Sequence, residues 1–276
     1  MVALSKDRPR HTSQAPQAPQ TLKVLWLVLV ASYFVIPLLA TAVFSLQGPH
    51  GQYSLAAFTE ELSKAAFLRS FLLSLRLAGE TIVVSIVLMV PTAYWVHLRL
   101  RRARPLVEMI SFLPFVVSPV VLAVGVENVF RKGPSWFVGS PNVLVAVYVV
   151  LSFPFLYRAL DAGLRSVDIR TLTEASQSLG ASGPGTLGRV ILPNLASAIL
   201  AGSLLTFAIV MGEFTISSLL LFNTFGVYID YVGTNQATGA AALSLISFVL
   251  TWIAMGGIAL ALQRRGAGRQ FMIGGR

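Results

Sequence analysis

The chain has 276 residues, of which 55% are hydrophobic and only 12% charged, and its net charge is +10. A soluble domain carries about 25% charged residues and needs polar groups to cover its outside. Composition therefore excludes a soluble globular enzyme and a disordered chain, and long solid apolar runs argue against a β-barrel.

What remains is an all-α, polytopic membrane protein. Cysteine is absent, so disulfides, thiolate metal sites and thiol nucleophiles are impossible. His11, His50 and His97 are too scattered to suggest a metal site, and no cofactor is expected.

In chain order, residues 1–21 are rich in Ser, Gln, Pro and charge and read as a disordered leader. A span needs about 20 mostly apolar residues. Six segments qualify: Leu22–Leu46, Arg69–His97, Pro105–Phe130, Asn142–Leu164, Leu195–Phe222 and Ala241–Gln263. The expected organisation is a first transmembrane helix with its outer loop over 22–68. A core of five transmembrane helices follows over 69–264, then a tail over 265–276. Ala40-Thr41-Ala42 mimics a signal-peptidase site, but the apolar run and the polar stretch before it are both long, so the first span is expected to be retained. Pro37, Pro91, Pro114, Pro119 and Pro154 fall within spans and can kink them. Trp26, Trp95, Trp136 and Trp252 read as interface anchors. The segment Phe222–Ala240 is expected to be an outer loop.

Basic residues set the orientation. Sixteen of the 21 lysines and arginines flank alternate ends of the spans: four in 6–23, four in 99–104, four in 158–189 and four in 264–276. The positive-inside rule then places both termini in the cytoplasm, as an even number of spans requires. Nucleic-acid binding would need this charge on one water-facing module; here it is divided among four segments beside the membrane.

The longest cytoplasmic segment is 165–194, between the fourth and fifth spans. Val167, Leu172, Ala175 and Leu179 recur at helical spacing. Gly180 suits a helix stop, and Ser182 suits the cap of a second short helix with Pro184 in its first turn. Gly183-Pro-Gly-Thr-Leu-Gly188 matches the dinucleotide pattern G-x-G-x-x-G, and Gly183–Arg189 resembles a Walker A frame. Both need a strand before them in a soluble α/β unit, and Arg189 and Val190 stand where Lys and Ser/Thr would bind phosphate and magnesium. Nucleotide binding by this chain is therefore not expected.

Glu174, Ala175, Gly180, Leu192 and Pro193 follow the spacing of the Glu-Ala-Ala loop of type I ABC importer permeases, with Ser176 for the second Ala and Val190 for Ile. The chain resembles that family, nearest to its spermidine/putrescine-type subgroup. The resemblance implies a permease that binds no ATP and is not itself an enzyme. It pairs with a second permease subunit, identical or homologous, on two ATP-binding ABC subunits in a bacterial-type inner membrane. An extracytoplasmic solute-binding protein delivers the cargo. The loop is then a coupling helix, with Glu174, Ala175, Ser176, Leu179, Gly180, Ala181 and Ser182 facing the ATPase and Leu192 and Pro193 closing it.

Acids inside a membrane are costly and are paired or functional. Glu80 has Arg76, and Glu108 has Arg104, four residues earlier on the same helix face, so local ion pairs are expected. Glu213 has no basic residue on its own helix. It is the first candidate for the translocation path, with Phe214, Thr215 and Ser217 beside it and Ser118 and Pro119 in the third span. A bundle-internal hydrogen bond is the other reading of Glu213. Glu213-Phe214 also resembles the fifth span of the polyamine, iron and phosphonate subgroup. The cargo is expected to be a polyamine or a similar small ion; iron, 2-aminoethylphosphonate, thiamine and sugar are the alternatives. A membrane enzyme would need metal ligands or a second polar cluster. A stand-alone ion-coupled transporter would need inverted repeats and a midplane acid pair. Neither pattern is found.

Overall fold

The computed structural model describes residues 20–48, 52–131, 133–134 and 139–273. Most of the leader 1–21, the end of the tail and Trp136 lie outside the described residues.

Helix α1, Gln20–Ser45, is apolar on every side and buries only Ser45, so its surface suits lipid rather than a core. It packs along the last helix, α12, Ala237–Ile273. A short α2, Ala56–Ser63, leads into α3, Ala65–Arg99. At 1.5 Å per residue α3 is about 52 Å long and must project beyond a hydrocarbon core of about 30 Å. Helix α6, Asn142–Arg165, lies at the centre between α3 and α9, Ala196–Gly212. A Cβ built on Gly202 of α9 would meet Leu156 of α6, and one on Gly163 would lie 2.6 Å from the Ala198 Cβ. These glycines let the two helices approach closely, as small residues do in membrane bundles. The Oγ atoms of Ser85 and Ser152 join α3 to α6 at 2.8 Å.

Two of the expected spans are broken. The third is α4, Arg104–Val116, followed by α5, Pro119–Phe130, with a 96° bend between them. Pro119 has no N–H for the turn before it and pushes Ser118 into extended backbone at ψ 136°. The fifth is α9, then extended backbone at Glu213, then α10, Thr215–Leu219. Among the described residues four helices are long and apolar enough to cross a membrane, or up to six spans if each bent pair is one. The second of those pairs is α8, Gly183–Asn194, with α9, bent by 77°.

Phe222–Ala240 is not a loop. It holds α11, Phe225–Asn235, which packs on α3 and α12 and buries Phe225, Tyr228 and Val232.

The apolar core has two parts. One, around Leu77, Leu144, Tyr148, Phe207 and Phe225, lies at the α11 end. The other, around Tyr94, Leu156, Tyr157, Leu160 and Leu164, lies at the opposite end and takes in Ile169 and Ile191 from the loop.

Candidate functional site

The segment after α6 folds as a helical hairpin. Asp168 caps α7, Ile169–Ser178: its Oδ1 accepts from Thr171 N at 3.2 Å and its Oδ2 from Thr171 Oγ at 2.8 Å. Those hydrogen bonds from Thr171 hold the Asp168 carboxyl below its ordinary 3.8. One face of α7 is buried through Ile169, Thr173 and Ser176. The other exposes Arg170, Glu174 and Gln177, with Arg170 Nε 3.0 Å from Glu174 Oε1.

The turn between the helices follows the expected chemistry. Gly180 has φ +83°, which an L side chain rarely adopts, and Ala181 N donates back to Ser176 O at 3.1 Å. Ser182 Oγ accepts from Gly185 N at 3.3 Å and starts α8. The glycine-rich stretch is thus helix rather than a phosphate-cradling loop. Ser176, standing where the family pattern has Ala, bonds Thr186 Oγ at 3.1 Å and ties α7 to α8. Within α8, Leu187–Ile191 forms a π turn just before Pro193.

The hairpin is fastened to the bundle. Tyr94 OH of α3 meets Thr173 Oγ at 3.0 Å in a buried site, and Ile169 and Ile191 belong to the inner core. Ala175, Ser176, Leu179, Gly180, Ala181 and Ser182 line a shallow cavity of about 620 Å³ on the open side of the hairpin. Leu179 there is 89% exposed. Glu174 faces a different cavity, shared with Arg99, Arg101 and Arg102. Leu192 and Pro193 lie at the far end of α8 and line neither cavity.

One expected ion pair forms and one does not. Arg76 Nε lies 2.7 Å from Glu80 Oε1. Arg104 turns away from Glu108 and grips Asp161 of α6 with two bonds of 2.6 Å. Asp161 is buried and also meets Arg165 at 2.8 Å and His97 Nε2 at 3.1 Å. A buried carboxylate is stable only when its charge and lone pairs are compensated. That requirement outranks the weak helical spacing preference of a half-exposed pair. Sequence reasoning passes over Asp161 because its main partner lies 57 positions away; Asp161 and Arg165 at i,i+4 are the only local signal. Glu127 also lies within the expected third span, at the exposed end of α5.

Glu213 sits in the break of the fifth span. Its Oε1 accepts from Ile216 N at 2.6 Å, and its Oε2 from Ser217 N at 3.1 Å and Tyr148 OH at 2.7 Å. The carboxylate therefore caps α10 and joins it to α6. Ser217 is buried and accepts from Thr224 Oγ at 2.8 Å, while Phe214 is exposed. Helices α5 and α10 pack together. The cavity between them is lined by Val126, Glu127 and residues 219–222. Ser118 and Pro119 lie at the other end of α5, outside that cavity, so the structure does not gather all six path candidates in one place.

A second buried acid lies at the α11 end of the bundle, opposite Asp161. Glu61 of α2 is fully buried, with Lys64 Nζ at 2.6 Å and Tyr228 OH at 2.9 Å. Burial, then the bond to Glu61, pushes the Tyr228 phenol up to about 12, and Glu61 raises the Lys64 ammonium. Tyr228 thus faces inward and fixes α11 to α2. Glu61 and Lys64 at i,i+3 are a local signal, but burial of the acid comes only from packing.

Residues 89–266 match the family model of the binding-protein-dependent transport system inner membrane component. A probable molybdenum ABC transporter permease of Haloferax volcanii is 28% identical, over 88% of this chain and 90% of its own length. The spermidine/putrescine transport system permease PotB of Escherichia coli is 26% identical over 53% of this chain and 58% of its own. A bacterial ABC transporter involved in the import of the acidic polysaccharide alginate shares the fold, with a TM-score of 0.68 at 15% identity over 89% of this chain and 96% of that one. The exposed hairpin on a bundle of apolar helices, and a family match spanning both, lead to one assignment: the chain belongs to the family of inner membrane components of binding-protein-dependent transport systems, the permeases of ABC importers.

Proposed function

We propose that this chain forms half of the translocation pathway of an importer for a small charged solute. A second permease subunit forms the other half, two ATPase subunits drive both, and an extracytoplasmic receptor hands over the cargo. The observation that carries this reading is the two-faced hairpin. One face of α7 is bonded into the bundle by Tyr94–Thr173 and Ile169, and the opposite side presents Leu179 and Gly180 to a partner. A rigid hairpin with one open face suits the transfer of ATPase motion to α3 and α6. Glu174, Ala175, Leu179, Gly180, Ala181 and Ser182 are assigned to that contact, Ser176 braces it from the buried face through Thr186, and Leu192 and Pro193 are assigned to its link with α9. The charge distribution puts the hairpin and both termini in the cytoplasm.

Glu213, Phe214, Thr215, Ser217, Ser118 and Pro119 are assigned to the path through the two broken spans. Within this group Glu213 acts as a joint, because its oxygens are already occupied. An acid occupied in this way gives no particular support to a cationic cargo such as a polyamine. A small oxyanion comes first: the molybdenum-named relative spans nearly all of both chains. A polyamine comes second, on the PotB likeness over about half of each chain. Proteoliposomes holding the permease pair, its ATPases and its receptor decide between them. Uptake of molybdate or sulfate, strictly dependent on receptor and ATP, is expected. Spermidine uptake instead reverses the order of cargo, and receptor-independent uptake removes the importer reading.

A further inference from the structure

We propose that the cleft between the α3–α4 turn and α7 binds the phosphate headgroup of an anionic phospholipid. The cleft has a volume of about 680 Å³ and is lined by Arg99, Arg101, Arg102 and Arg170, with Leu98 and Leu100 among its apolar contacts. This size suits a small ligand. The inference rests on the cytoplasmic placement of this end of the bundle and goes beyond the coupling role of the hairpin.

The acids nearby are already committed. Glu174 lines the cleft but is paired with Arg170 at 3.0 Å. Asp161 is held by Arg104 and Arg165. Asp168 caps α7. Among the described residues no carboxylate oxygen lies within 4.0 Å of Arg99, Arg101 or Arg102. Arg101 Nε donates to His97 O at 3.3 Å, which leaves its terminal nitrogens for another acceptor. Arg99, Arg101 and Arg102 carry no direct ion pair, although Asp168 lies within Coulombic reach of Arg101, and three guanidinium groups in one concave site match the fork geometry that phosphate accepts.

The depth of the site argues for a lipid. Arg99 lies over the ring of Trp95 at 5.1 Å, and Trp95 is 53% exposed one helical turn into the apolar part of α3. Such a ring marks the headgroup level. Beside the arginines, Leu98 and Leu100 line the same cleft, and Leu100 is exposed and apolar. A phosphate on an acyl chain satisfies both surfaces; a free phosphate uses only the first. Basic pockets on the cytoplasmic side of helix bundles hold anionic headgroups for this reason. A headgroup bridging Arg101 or Arg102 to Arg170 would clamp α7 to the turn after α3, so occupancy should strengthen coupling.

The test uses the assembled importer in nanodiscs of phosphatidylcholine with or without phosphatidylglycerol. Native mass spectrometry counts phosphatidylglycerol retained after delipidation, and receptor-stimulated ATPase activity is read in parallel. The wild type should retain the lipid and respond to it. Arg101→Gln/Arg102→Gln should lower retention about thirtyfold and abolish the response, while Arg101→Lys/Arg102→Lys keeps most of the retention and confirms folding. Equal retention by wild type and the glutamine variant overturns the proposal. Displacement of the lipid by millimolar inorganic phosphate, with no lipid response of the ATPase, overturns it in favour of a free anion. Loss of the ATPase subunits from the glutamine variant in lipid-free detergent overturns it in favour of a protein contact. Lipid retention is read by mass and needs no cargo, so its failure is distinct from failure of the importer reading.

Discussion

Glu213 accepts three hydrogen bonds across the break in the fifth span, two of them from backbone N–H groups of α10. A carboxylate so placed substitutes for the helical carbonyls that the break removes. In Glu213→Gln one acceptor becomes an amide that faces donors. Hydrogen bonds to charged groups are worth about 1.5–3 kcal/mol each, and at least one is lost. Thermal unfolding of the purified chain in detergent should show a loss of about 2 kcal/mol, and uptake by the assembled complex should fall with it. Unchanged stability and unchanged uptake together would remove the joint. Glu213 stands out in the sequence as an acid inside a span with no local partner. That Tyr148 and α10 are its partners was not legible there, because helical spacing reports only neighbours three or four residues away. Arg104 makes the same point: spacing pointed to Glu108, and the buried Asp161 of another helix took the pair.

At the scale of elements, apolar runs located the helices because transfer into lipid acts on each segment by its own composition. The breaks were less visible. Pro119 signalled one of them, and Ser118 before it is extended. Close approach of α6 and α9 rests on Gly202 and Gly163, whose meaning depends on what lies opposite. Gly202→Ala puts a methyl against Leu156 Cδ1 and 3.1 Å from the Leu156 Cα, so backbone must shift. A loss of about 1–3 kcal/mol is expected, as for other overpacked sites. Gly256 of α12 has open space around it, and Gly256→Ala should be neutral or stabilising by up to about 1 kcal/mol. Melting of the two variants in detergent makes the comparison; equal stabilities would contradict the close packing.

For the whole molecule, the proposed coupling role requires the hairpin to pass motion between a soluble partner and the bundle. A Cβ at Gly180 meets nothing within 4 Å in this chain, so the penalty at the backbone is that of the positive φ, about 1 kcal/mol. Gly180→Trp should therefore insert and fold nearly normally. Its indole would project from the open side of the hairpin into the surface assigned to the ATPase. Uptake and receptor-stimulated ATP hydrolysis should drop at least tenfold in the assembled complex, with membrane insertion unchanged. Normal transport in this variant would sink the coupling assignment.

The sequence by itself determined that this is a helical membrane protein, where its apolar segments lie, which ends carry the positive charge, and that a Glu-Ala-Ser…Gly…Leu-Pro hairpin joins two of them. Those features are local: transfer free energy, helical period, capping and turn chemistry act within a few residues of the chain. Only the tertiary structure decided that two spans break, that Phe222–Ala240 is a packed helix, and that Asp161, Glu213 and Glu61 bind Arg104, Tyr148 and Tyr228. The reason is the cost of burying a charged or polar group, which is relieved by whichever compensating group packing brings within hydrogen-bonding distance. The +10 of the whole chain tells the same story. Its sidedness was written in the order of residues, but which arginines stay free to meet a phosphate was settled by the acids that folding placed beside the others.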